Sequence, residues 1–93
     1  MITAVVFLNC EVGRVHEVAE ALTTLDGIAE VYSVSGEYDI LAICKVRQYE
    51  DLAQLVTQEI GKIPGIVRTN SHMAFRAYSK HDMEKVWAET MGE

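Results

Sequence analysis

The sequence predicts an α+β fold of the ferredoxin-like kind: βαββαβ with a C-terminal helix, two chains pairing sheet to sheet as a dimeric α/β barrel. Three observations carry this expectation. The apolar period alternates between strand-like and helical stretches in the order β-α-β-β-α-β. The run Ile40-Leu41-Ala42-Ile43-Cys44 is apolar at every position, where a strand with one wet face would alternate. Ninety-three residues form one small domain whose two main helices cover one face of a four-stranded sheet. The other face needs another sheet, most simply that of an identical chain.

Each element follows from its local pattern. Residues 2–9 are rich in Val, Ile, Thr and Phe and predict strand one. From Glu11 the period changes. Val15, Val18, Ala19, Leu22 and Leu25 share a helix face, with His16, Glu17, Glu20 and Thr23 mostly opposite, and Asp26-Gly27 ends the helix. Ile28 to Ser35 predicts strand two, Gly36-Glu37 a hairpin turn, and Tyr38 to Val46 strand three. A second helix from Tyr49 presents Leu52, Ala53, Val56, Ile60 and Ile63, and Ile63-Pro64-Gly65 stops it. Ile66 to Tyr78 predicts strand four. A short helix within 79–93 follows, with Ser79 and Asp82 resembling a capping box and Met83, Val86 and Trp87 forming a packing stripe.

Composition narrows the function. The net charge is −6, and the eight basic residues are scattered, so direct nucleic-acid binding is not expected. No run approaches the ~18 apolar residues of a membrane span, and "MITAVVFLNC" lacks a basic leader. No membrane partner is expected, and the predicted location is cytoplasmic. Cys10 and Cys44 sit in apolar strand runs and read as reduced thiols. His16, His72 and His81 have no metal-ligand spacing, and no nucleophile motif or phosphate loop occurs, so no metal, cofactor or catalytic residue is assigned.

Three stretches, "VSGEYDILAICKV", "IGKIPGIVRTNSHMAF" and "LTTLDGIAEVYSVSG", resemble the effector-binding (RAM) domain of the Lrp/AsnC, or feast/famine, regulators. The family pattern G-x-x-D, then P-G-V-x-x-T-x-T, reads here Gly36-x-x-Asp39 and Pro64-Gly65-Ile66-x-x-Thr69-x-Ser71, Ser replacing the second Thr. The likeness spans residues 1–78, with 79–93 as a helical extension. Met1 already starts strand one, so the helix-turn-helix domain of full-length members has no counterpart in this sequence.

The resemblance implies a stand-alone module that binds a small-molecule effector, an amino acid, where dimers meet. Its implied binding residues are Gly36, Glu37, Tyr38, Asp39, Thr69 and Ser71. The chemistry fits, because a zwitterion needs N–H donors for its carboxylate and an acidic acceptor, Asp39 or Glu37, for its ammonium. From the residues alone, Gly36 and Asp39 also suit an ordinary turn, and Thr69 and Ser71 ordinary strand pairing. The implied partners are further copies, as an octamer or decamer of dimers, and full-length regulators of the family. The competing expectation is a small barrel enzyme, a monooxygenase or isomerase, using His or Tyr in a cavity between helices and sheet. A purely structural assembly module is a third.

Overall fold

The computed structural model describes residues 1–80. Four antiparallel strands, β1 (Ile2–Cys10), β2 (Ile28–Ser33), β3 (Ile40–Val46) and β4 (Ile66–Ala74), form one sheet in the order β2-β3-β1-β4. Helix α1 (Val15–Thr23) links β1 to β2, and α2, which begins at Tyr49–Gln54, links β3 to β4. This is the predicted α+β ferredoxin-like arrangement.

Register explains the burial. Ala4, Val6 and Leu8 of β1 stand opposite Cys44, Ala42 and Ile40 of β3, and all six are buried beneath the helices. Val18 and Leu22 of α1 and Leu52, Leu55 and Ile60 of the second helical segment complete the core. The intervening residues Val5, Phe7, Leu41 and Ile43 share the opposite face and are only half-buried in one chain. The all-apolar third strand therefore feeds two faces, one covered by helices and one bare.

The second helical segment does not hold a single pitch. After Gln54 it passes through a π turn, Leu55–Glu59, and a 3₁₀ turn, Ile60–Lys62. Five residues of α-helix would rotate Ile60 away from Leu55. The wider π turn, bonded i to i+5, lets both point into the core while Glu59 stays in solvent. Leu55 is thus a core residue absent from the predicted stripe.

Several predicted boundaries shift. Helix α1 begins at Val15 rather than near Glu11, because Gly13 has a φ of +82° and Arg14 is still non-helical. β2 ends at Ser33 and β3 starts at Ile40, so Gly36-Glu37 is part of a six-residue loop, not a two-residue turn. The Val34 N–H closes that loop on the Asp39 carbonyl at 2.9 Å. β4 stops at Ala74, not Tyr78: Ala74 pairs with Thr3, and β1 has almost no residues left to bond. The expected C-terminal helix and its Met83/Val86/Trp87 stripe lie outside the described residues, save for Ser79 and Lys80.

Candidate functional site

The predicted site begins at the loop of residues 34–39. Asp39 anchors it to the end of β1 in two ways: its N–H donates to the Leu8 carbonyl, and its Oδ2 accepts from the Cys10 N–H at 2.8 Å. The carboxylate therefore caps the last rung of the β1–β3 ladder, where β1 has passed the end of β3 and would leave a strand donor unpaired. Burial, and secondarily the Asp39 charge, holds the Cys10 thiol above its ordinary pKa. Gly36 has a φ of +105°, and a Cβ there would meet nothing within 4 Å. Only a residue free of side-chain sterics takes that conformation without strain. No hydrogen bond among the described residues engages the N–H groups of Gly36 and Glu37.

A second layer ties the loop to β4 across β1. Asn9 donates from Nδ2 to the Glu37 carbonyl at 3.0 Å, while its Oδ1 accepts from Arg68 Nη2 at 3.0 Å and Nε at 3.3 Å. Asn70 Nδ2 donates to the Tyr38 hydroxyl at 2.8 Å. The Tyr38 ring packs 5.0 Å from Phe7, whose other neighbour is His72 at 5.8 Å, edge-on. The Arg68 guanidinium carbon lies 5.5 Å from the Tyr38 ring centroid. Open backbone donors, the Asp39 carboxylate, a guanidinium and an aromatic wall thus meet at one end of the bare face.

Thr69 and Ser71 do not join this group. They pair with Leu8 and Val6, which puts both on the helix side of the sheet, with β1 between them and the loop. Ser71 instead borders an apolar cleft of about 290 Å³ between α2 and β4, lined by Ala4, Tyr49, Leu52, Ala53, Val56 and Met73. Gly36, Glu37, Tyr38 and Asp39 form one locus and the two hydroxyls another. No sequence motif marks Asn9, Arg68 and Asn70 as members of this cluster. Asn9 and Arg68 stand 59 positions apart, and only the β1–β4 pairing, with its bulge at Asn9/Cys10, brings them together.

Among the described residues no group of His, Cys, Asp or Glu could hold a metal ion, and no helix is long and apolar enough to cross a membrane. Cys10 and Cys44 are both free thiols, and burial pushes the Cys44 thiol up to about 11.

Known proteins resembling the chain agree with one another. The family model described as the Lrp/AsnC ligand binding domain matches residues 3–84. An uncharacterized HTH-type transcriptional regulator of Pyrococcus furiosus is 30% identical over 73 residues, which are 78% of this chain and 49% of the regulator. The crystal structure of a Thermus thermophilus protein, TTHA0845, superposes with a TM-score of 0.80 at 42% identity, covering 86% of this chain and all of that one. A transcriptional regulator of Neisseria meningitidis, solved as its L-Met complex, shares the fold at a TM-score of 0.75 and 12% identity, over 84% of this chain and 52% of its own. This chain spans about half the length of the curated relatives it matches.

Proposed function

Since the chain belongs to the Lrp/AsnC family through its ligand-binding domain, we propose that it is a non-enzymatic effector-binding and assembly module. It binds an amino acid beside the Gly36–Asp39 loop and changes how its dimers associate with one another or with full-length regulators. The observation that carries this reading is the loop: an open glycine, unengaged N–H groups at Gly36 and Glu37, and the carboxylates of Glu37 and Asp39 within one short segment. Those are the groups an amino-acid zwitterion requires. The L-Met complex of the Neisseria regulator supports the ligand class.

The bare sheet face supports the assembly half of the reading. Val5, Phe7, Leu41 and Ile43 form a contiguous apolar centre that one chain leaves half-covered. Pairing with the same face of a second chain buries it in a sheet-on-sheet packing. Thr69 and Ser71, on the opposite side, are then placed to meet a neighbouring dimer rather than the partner within the dimer.

Thermal-shift titration with the twenty common L-amino acids tests the reading. A ligand present at a hundredfold excess over its dissociation constant stabilises by about 2.7 kcal/mol, well within detection. A rise in melting temperature with one or a few amino acids, together with a change in sedimentation, is expected. A flat response to all twenty overturns the effector reading.

A further inference from the structure

Arg68 stands out among the cations of this acidic chain. Two guanidinium orientations are set by hydrogen bonds among the described residues: Arg14, whose Nε meets Glu17 at 3.0 Å, and Arg68, whose two donors both go to the neutral Asn9 oxygen. The two salt bridges among the described residues, Arg14–Glu17 and His16–Glu20, leave Arg68 without a carboxylate. It is nevertheless held in place, with Asn9 fixing one edge and the Tyr38 ring backing the plane. A guanidinium ordered in advance and not neutralised by any carboxylate among the described residues is poised to take one in the two-pronged manner that arginine favours.

We infer that Arg68 is the carboxylate anchor of the effector site, with Asn9 and Tyr38 as its positioning residues. This rests on the amino-acid reading above and adds a specificity determinant to it. The Asn9 amide is bonded at one end to Arg68 and at the other to the Glu37 carbonyl, so guanidinium and loop sit on opposite sides of one small side chain. An α-amino acid laid across Asn9 places its carboxylate between Arg68 and the open Gly36 and Glu37 N–H groups, which leaves its ammonium for the acidic side chains of the same loop. The site then selects ligands that carry a free carboxylate, and it discriminates against amides and amines of the same side chain. Arg68 lies toward the end of the bare face, two positions beyond Asn70, which pairs with Phe7.

The test uses the tightest-binding of the twenty L-amino acids and the carboxamide of that same amino acid. By calorimetry, wild-type protein should bind the acid at least tenfold more tightly than the amide. Arg68→Ala should bring the acid down to the amide's level and leave the amide unchanged. Arg68→Gln keeps a donor for Asn9 but removes the charge, so it should behave like the alanine variant while preserving the loop. Circular dichroism and melting temperature verify that both variants are folded. Equal affinity of wild-type protein for acid and amide, or unaltered acid affinity in both variants, overturns the assignment and leaves the amino-acid reading standing. Loss of dimer–dimer assembly in the variants at unaltered affinity also overturns it, by showing that the carboxylate comes from a neighbouring subunit. No binding of any amino acid to wild-type protein overturns both.

Discussion

Asp39 is the residue at which a structural and a ligand-binding role can be separated by substitution. Its Oδ2 accepts a 2.8 Å bond from the Cys10 N–H in a half-buried position, and its Oδ1 makes no hydrogen bond among the described residues. A hydrogen bond to a charged acceptor contributes about 1.5–3 kcal/mol, and removing the acceptor also strands the Cys10 donor. Asp39→Ala should therefore cost about 2 kcal/mol, which for a domain of this size lowers the melting temperature by about 8–16 °C. Asp39→Asn retains an oxygen in the same place without the charge. It should lose about half as much, since neutral hydrogen bonds are roughly half as strong as charge-assisted ones.

Ligand affinity supplies the second axis. If the Asp39 charge faces the bound ammonium, Asp39→Asn weakens binding at least tenfold, about 1.4 kcal/mol, although the loop stays tied to β1. Differential scanning fluorimetry at matched protein concentration and calorimetry with the identified amino acid measure the two effects separately. An alanine variant as stable as wild type would refute the tie to Cys10. An asparagine variant that melts lower but binds normally would remove the charge from the ligand site and leave Asp39 as a loop anchor.

Other substitutions probe the two sheet faces and the loop. Ile43→Asp charges the bare face and should yield a folded monomer by sedimentation, whereas Ala42→Asp buries a charge at a position with no exposure and should give no folded protein; a dimeric Ile43→Asp at micromolar concentration contradicts the pairing. Gly36→Ala meets no neighbouring atom and should cost only the backbone strain of a positive φ, about 1–2 kcal/mol, while Gly27→Ala, whose Cβ would approach Leu55 at 3.0 Å and Val46 at 3.1 Å, should cost more in urea denaturation. Cys44 has a folded pKa of about 11, above its ordinary value of 9.0, so its contribution is fully present below pH 9.0 and is lost as pH rises toward 11. Urea midpoints should fall across that window, less steeply in Cys44→Ala, and the native thiol should resist Ellman's reagent at pH 8 until the protein unfolds.

What the sequence made legible was period and order. A strand apolar on both faces signals two coverings wherever it occurs, so Ile40–Cys44 alone required an uncovered sheet face, and the β-α-β-β-α-β order placed it. The length of the loop is not legible in the sequence, because Gly36 announces a positive φ but not how many residues span it. Its six-residue length follows from where Asp39 and Val34 find partners, on β1 and on each other. The π turn was hidden for a related reason, since the helical period places Val56 and Ile60 together and only packing against the sheet brings Leu55 inward as well.

The division of the predicted site into two loci has the same origin. Alternation guarantees that Thr69 and Ser71 share one face and that Arg68, Asn70 and His72 share the other, but it does not say which face adjoins the loop. That is decided by the register of β4 on β1: Thr69 falls opposite the buried Leu8, so its hydroxyl turns to the helix side, and Asn70 falls opposite Phe7, beside Tyr38. A slip of one residue would exchange the two sets. The bulge between Asn9 and Cys10 then allows Asn9 to face Arg68 while Cys10 pairs with Ile66. The polar cluster at the loop thus depends on an inter-strand alignment between segments 59 positions apart in the chain. No local motif encodes it, and a search for T-x-T spacing alone points to the wrong side of the strand for contact with Asp39.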